Sequence, residues 1–169
     1  MPEFKIKLQN YLNNFGKFCE DNKVNLGGIQ IDHICYKCES SEEYEYLRKM
    51  FEFEDRFIYQ SIISKRRISY IGFNEPLYSI CGNIYYLELS DQKLDKSQQS
   101  KCDHIEPAPN GISYLEMLRR FSIENLTVEE NIKPHHSTHD IVFTNGVKIK
   151  LSHGKLIDKI YREELILDK

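Results

Sequence analysis

Near the start of the chain the apolar positions Phe4, Leu8, Leu12, Phe15 and Cys19 recur at steps of three and four. This predicts an amphipathic helix over 3–22 with Lys5, Lys7, Lys17 and Glu20 turned outward. Gly27-Gly28 breaks it, and the run that follows predicts a buried strand over 29–37. Alternation sends Ile31, His33 and Cys35 to one face of that strand and Asp32 and Ile34 to the other. Ser40 followed by Glu43 offers a capping box for a second helix, with Tyr44, Leu47, Met50 and Phe51 inward and its end near Phe53. Phe57 to Ile63 and Arg67 to Phe73 are β-rich runs joined at Ser64-Lys65-Arg66 as a hairpin, and Glu75-Pro76 is expected to end the second. Gly82-Asn83 opens a further strand in which Tyr86 and Glu88 point opposite to Tyr85, Leu87 and Leu89. A β-α-β-β-β unit is then complete over 29–90.

Beyond Asp91 the chain turns polar, with Lys93, Asp95, Lys96, Gln98, Gln99, Lys101 and two prolines, and reads as a linker over 91–111. His104-Ile105-Glu106 then falls in a solvated loop beside Pro107. Residues 112–126 fit two templates, because Ile112, Leu115, Leu118, Phe121 and Leu126 also make a helical stripe. An internal echo favours the other template, a strand over 112–118 and a short helix over 122–131: Ile31-Asp32-His33-Ile34-Cys35 resembles Ile112-Ser113-Tyr114-Leu115-Glu116. Ile141 to Thr144 and Val147 to Leu151 flank Asn145-Gly146, a pair suited to the type I′ turn of a two-residue hairpin. Gly154 precedes a final helix whose Leu156, Ile157, Ile160, Tyr161 and Leu165 cover the core.

A second echo pairs Tyr86-Leu87-Glu88-Leu89 with Lys148-Ile149-Lys150-Leu151. Two similar halves, 29–90 and 112–153, would bring His33, Glu88, Tyr114 and Lys150 to one pocket. The fold class is then α+β, with an N-terminal helix in 1–28 and a C-terminal helix in 154–169 around a single domain.

Composition narrows the function. In 169 residues, 40% hydrophobic and 29% charged with 11 Tyr and 9 Phe, there is enough apolar material for one globular core. The net charge of −3, from 23 basic and 26 acidic residues well mixed, leaves no stripe to hold a phosphate backbone, and nucleic acid is not expected as a partner. Lys65-Arg66-Arg67 reads as a solvated hairpin tip. No segment has the run of roughly 18 apolar residues that a membrane span needs, and no apolar signal region follows Met1, so a cytoplasmic location is expected. Five cysteines, an odd number, point to thiols, and Cys35 and Cys38 fall on opposite strand faces, where they cannot share a zinc ion without a sharp turn. His135, His136 and His139 have helical ligand spacing, but Pro134 argues for a histidine-rich loop. No Gly-x-Ser-x-Gly elbow, Walker loop or GxGxxG is present.

Asp32-His33-Ile34, Arg67-Ile68 with Asn74-Glu75-Pro76, Leu87-Glu88-Leu89, Gly111 to Glu116, and Thr144-Asn145-Gly146 with Ile149-Lys150 resemble, in that order and spacing, the YecM-like proteins of the vicinal oxygen chelate superfamily. The resemblance spans roughly residues 5 to 165. It implies two β-α-β-β-β modules with curled mixed sheets enclosing a cleft, which in the wider superfamily commonly holds a divalent metal on the first and last strands of each module. Those positions here are His33, Glu88, Tyr114 and Lys150. Only His33 and Glu88 suit a metal, since a phenol titrates near 10 and a protonated lysine is no ligand. A lysine opposite Glu88 could instead form an internal ion pair. Glu116, on the face of Tyr114, and His153, beyond the last strand, could complete the set.

Three functions remain open at this stage. In the first, a divalent metal (Zn, Fe, Mn or Ni) on His33, Glu88 and His153 serves an isomerase- or dioxygenase-type enzyme acting on a small molecule. Glu88 or Glu116 is then the base, and Arg67, Tyr114 and Lys150 bind substrate. In the second, the metal is absent and the cleft, with His33, Tyr70, Tyr86 and Tyr114, only binds a small molecule. In the third, the cleft is filled core and the linker is a partner surface.

Overall fold

The computed structural model describes residues 2–54, 57–132 and 137–163. Helix α1 (Pro2–Asp21) buries Phe4, Leu8, Leu12, Phe15 and Cys19, the stripe its spacing predicts. Strand β1 (Ile29–Lys37) follows a turn at Gly28, where φ is +76° and a Cβ would stand 2.7 Å from the Ile112 side chain, so only glycine fits. Helix α2 (Ser41–Glu54) is capped by Ser40, whose Oγ accepts the Glu43 N–H at 3.0 Å, while the Glu43 carboxylate reaches back to the N–H of Glu39 at 2.7 Å.

Strands β2 (Phe57–Ile63) and β3 (Arg66–Ser79) form a hairpin in which Ile63 pairs Arg66 and both turn residues, Ser64 and Lys65, have positive φ. This is the primed two-residue turn, formed without glycine. Glu75-Pro76 does not end β3. The ladder with β4 (Gly82–Ser90) is interrupted between Gly72 and Leu77 and then resumes, so Pro76 falls where no N–H is required.

The second half departs from expectation. Residues 101–109, read as linker, are strand β5 (Lys101–Pro109), which lies antiparallel against β1 in the middle of the sheet. Gln98 anchors the chain ahead of it, its Nε2 lying 2.7 Å from the Cys38 carbonyl and 2.9 Å from that of Asp91. Residues 112–118 are not a strand: Tyr114–Phe121 is helix α3, with the Ser113 Oγ accepting the Glu116 N–H at 3.1 Å. The helical stripe was the truer signal, and the echo that outweighed it was misplaced. The helix expected over 122–131 is replaced by strand β6 (Val128–Asn131).

Strands β7 (Thr138–Val142) and β8 (Lys148–Ser152) make the expected hairpin with a different turn. The Gly146 N–H donates to the Phe143 carbonyl and the Phe143 N–H to that of Val147, while Gly146 alone has positive φ, +83°. That is a type I turn closed by a glycine bulge, with Asn145 in an ordinary conformation. Helix α4 (Leu156–Glu163) ends the described chain.

Among the described residues, four helices accompany one mixed eight-stranded sheet of order β2-β3-β4-β1-β5-β8-β7-β6. It is a single sheet and not strongly curled. Ile34, Leu87, Ile105 and Ile149 join α1, α2 and α3 in the main core, which includes Phe15, Phe51, Met117 and Phe121. The alternate residues of the same strands, His33, Glu88, His104 and Lys150, therefore face away from that core. A smaller cluster of Tyr70, Ile157 and Ile160 seats α4 on that second face. No described helix is long and apolar enough to cross a membrane.

Candidate metal centre

The centre of the second face is built by the β1–β5 ladder. His33 stands opposite Glu106, Cys35 opposite His104, and Ile34 opposite Ile105. Register slips between Ile31 and His33, leaving Asp32 as an extra residue, and between Cys35 and Tyr36, leaving Asp103 as the extra residue on the partner strand. Each bulge turns an aspartate toward the histidine that follows it. His33 Nδ1 lies 2.9 Å from Asp32 Oδ2, and His104 Nδ1 lies 2.9 Å from Asp103 Oδ2. With Nδ1 held by a carboxylate, each ring presents Nε2 as the available nitrogen, the arrangement that metal-binding histidines use.

One ligand atom from each of His33, His104 and Glu106 lies within 4.8 Å of the others, and all three residues are buried. Two ligand atoms on one ion at about 2.0–2.2 Å each can be up to roughly 4.4 Å apart, so small rotations would close the set. His33 Nε2 is buried, has no hydrogen-bond partner among the described residues, and stands 3.7 Å from both Glu88 Oε2 and Glu106 Oε2. A buried imidazole nitrogen aimed at two carboxylates, without a close bond to either, fits an ion between them.

The electrostatics agree. Burial by itself depresses the His33 pKa, but the carboxylates of Glu106, Asp32 and Glu88 outweigh it and bring it to about 9. Burial favours the neutral form of Glu88, and the His33 and His104 rings overcome this and lower its pKa. His104 is pushed down by burial, with Lys150 adding to the effect against the Asp103 hydrogen bond. Burial and the charge of Glu88 keep the Cys35 thiol protonated, and it donates to Glu88 Oε1 at 3.2 Å. A divalent ion would replace the His33 proton as the partner of these carboxylates.

Of the residues expected to converge, His33 and Glu88 do, and Lys150 acts on Glu88 and His104 from β8. Its Nζ reaches Asp140 at 4.0 Å, which puts its contact there instead of on Glu88. Tyr114 belongs elsewhere: it opens α3, stacks on the His153 ring at 3.7 Å between centroids, and its hydroxyl meets His139 Nδ1 at 2.5 Å. His153 is exposed beside it and is not among the buried ligands. Glu116 pairs with Arg120 and Arg119 on the outer side of α3, at 3.0 and 3.2 Å. Arg67 is bound to Asp91 at 2.8 Å and to Glu45, and covers the Tyr44 ring. All four lie on the helical side: Tyr114 and Glu116 are on a helix where a strand was expected, His153 packs on Tyr114, and Arg67 reaches Glu45 and Tyr44 of α2. His135 and His136 lie outside the described residues.

His104 and Glu106 were missed, although the sequence carried a signal for them. Asp103-His104-Ile105 repeats Asp32-His33-Ile34 letter for letter, but Pro107 and Pro109 made the segment look like a loop. Pro107 is tolerated in a central strand because it pairs Ile31 at the edge of the Asp32 bulge.

A strand, a helix and three strands, then the same order again, run through one sheet, with a histidine on each of β1 and β5 and the Glu88 carboxylate on β4. The chain belongs to the YecM family, whose model, described as YecM protein, matches residues 2–160. A solved structure described as "Structural Genomics, Protein EC4020" superposes with a TM-score of 0.71 at 17% identity, over 92% of this chain and 88% of that one. A methylmalonyl-CoA epimerase from Streptomyces coelicolor gives 0.49 at 16% identity over 76% and 96%. One from Mycobacterium tuberculosis gives 0.46 at 11% over 77% and 91%. No curated protein matches the chain.

Proposed function

We propose that this YecM-family protein is a metal-dependent small-molecule enzyme of isomerase or dioxygenase type, with the ion held by His33, His104 and Glu106 and with Glu88 beside it. The observation that carries this reading is the buried Nε2 of His33, without a hydrogen-bond partner among the described residues and within reach of His104, Glu106 and Glu88. Two further features support it. The strand order reads alike from both ends around β1 and β5, and the Asp-His-Ile pairs occupy equivalent bulges, as expected of two β-α-β-β-β modules joined at that ladder.

A divalent ion of the Zn, Fe, Mn or Ni kind would polarise two oxygens of a bound substrate. The chain's own groups do the rest. Asp32 and Asp103 fix the ring orientations, and Cys35 occupies Glu88 Oε1, which leaves Oε2 as the atom to take a substrate proton. Glu88 is suited to this because it is held ionised and its side chain is 19% exposed, whereas the His33 side chain is sealed. Lys150 supplies a positive charge for a substrate oxygen on the same face.

Metal analysis of the purified protein by mass spectrometry tests the reading. Near-stoichiometric metal in the wild type, lost in His33→Ala and in His104→Ala, is expected; equal metal in all three proteins would end it. A second reading, a non-catalytic binding protein with a degenerate site, is favoured by Lys150 standing where a second carboxylate would balance Glu88. Wild-type protein that stays metal-free after dialysis against zinc, iron, manganese and nickel salts would select it.

A further inference from the structure

We propose that this chain pairs with a second copy of itself through strand β2, edge to edge and antiparallel, about a two-fold axis at Gln60. Strand β2 ends the sheet on one side and β6 on the other. The β6 edge is four residues long and carries Glu129 and Glu130, both exposed, which guard it against pairing. The β2 edge is seven residues long, Phe-Ile-Tyr-Gln-Ser-Ile-Ile, with no charge, no proline and no bulge in its ladder with β3. Among the described residues nothing is hydrogen-bonded to the backbone on its outer side.

The hairpin fixes which backbone groups face outward. Ile63 pairs Arg66 across the two-residue turn, so this closing pair exchanges both backbone bonds, as do the alternate pairs behind it at Ser61, Tyr59 and Phe57. The N–H and C=O groups of Ile58, Gln60 and Ile62 therefore point away from β3, in a row that a further strand can take up.

The residues in that row select the strand. Ile58, Gln60 and Ile62 read alike in both directions about Gln60, so an antiparallel copy sets Gln60 opposite Gln60 and Ile58 opposite Ile62. This is the self-complementary match that a two-fold interface requires, and a peptide from another protein would not call for it. Each of the pairs in the row exchanges two bonds, about six in all. No like charges meet along the strand, and Ile62, 67% exposed in the single chain, is covered. Strand pairing alone buries less than the roughly 1,200–2,000 Å² of a standard interface, so the dimer forms in a concentration-dependent way. The metal centre plays no part in it.

Sedimentation equilibrium of the full chain up to about 1 mM, the weak end of specific association, is the test. The wild-type mass is expected to rise with concentration toward twice that of the single chain. Gln60→Lys and Gln60→Glu each place like charges opposite each other on the axis, so each alone is expected to stay monomeric and an equimolar mixture of the two to dimerise. The Gln60 side chain is exposed, and the Tyr44 hydroxyl it meets at 3.0 Å keeps its bond to Ser69 Oγ in both variants. Ile62→Lys, at an exposed position, gives a second reading should these fail to fold: a monomer is expected, while Leu115→Lys, 71% exposed on α3, leaves the dimer intact. A wild type that is monomeric throughout, the result if the edge instead takes a peptide of another protein, overturns the proposal. So does a dimer that persists in the single variants, or a mixture that stays monomeric.

Discussion

The Nε2 atom of His33 lies 3.7 Å from Oε2 of Glu106, the residue directly across the β1–β5 ladder. Cys35 and His104 face each other two positions along, so the ladder presents an acid–imidazole pair and a thiol–imidazole pair about a centre at Ile34 and Ile105. On the proposed reading Glu106→Gln removes a ligand and lowers metal affinity by at least about tenfold, while Asp103→Asn, which frees the His104 ring, costs about 10–100-fold. Competition against a coloured chelator measures both. Lys37→Ala controls for the 2.7 Å Lys37–Asp103 ion pair that the second substitution also breaks.

Lys150 pushes His104 down and stabilises ionised Glu88, as a cation on the site face must. Lys150→Glu replaces repulsion of the ion with a further carboxylate. An affinity gain of about tenfold or more is expected, since one charge reversed in a buried site exceeds 1.4 kcal/mol. An unchanged chelator titration would show that this side chain does not reach the ion.

Asp140 pairs with Lys148 at 2.8 Å and accepts from the Thr138 hydroxyl at 2.7 Å. Burial alone would raise its pKa, and these two partners lower it. A depressed carboxyl contributes stability that is present above its unfolded value near 3.9 and is lost as pH falls through the lower folded value. Asp140→Asn is therefore expected to cost about 1 kcal/mol at pH 7, with the gap from wild type closing below pH 4 in urea titrations.

Phe121 is fully buried on α3 and packs near Phe15 and Phe143, with ring centroids 6.4 and 6.3 Å apart. Phe121→Ala should cost about 3–5 kcal/mol of unfolding free energy. Were 112–118 a strand with Tyr114 in the cleft, this side chain would matter far less.

Ser64 and Lys65 hold φ of 51° and 63°, conformations that cost a side-chain-bearing residue but not glycine. Lys65→Gly is expected to stabilise by about 0.5–1 kcal/mol, and Gly146→Ala, at φ +83°, to destabilise by a similar amount. Thermal melts of the two variants should move in opposite directions.

The local pattern was enough for what depends on neighbours in sequence. The stripe from Phe4 to Cys19, the alternation of Tyr86 and Glu88 with Leu87 and Leu89, and the capping serine at 40 are read by the chain within a few residues, so they were legible without coordinates. The Asp32 bulge, by contrast, breaks the alternation expected across 29–37 and puts Ile31 with Ile34 in the core and Asp32 beside His33. His33 and Glu88 were legible too, because each is a charged or titratable side chain alternating with apolar neighbours in a strand. Only the tertiary structure decided which far segment lies beside β1. That choice turned Pro107 from a linker mark into a bulge-edge residue and Pro109 into the end of a central strand, drew His104 and Glu106 out of a supposed loop, and sent Tyr114 and His153 to the helical side. Strand pairing is fixed by contacts between residues distant in the chain, and a shift of one position exchanges the faces of every side chain. The composition of the site was therefore decided by register, which single-sequence periodicity does not encode.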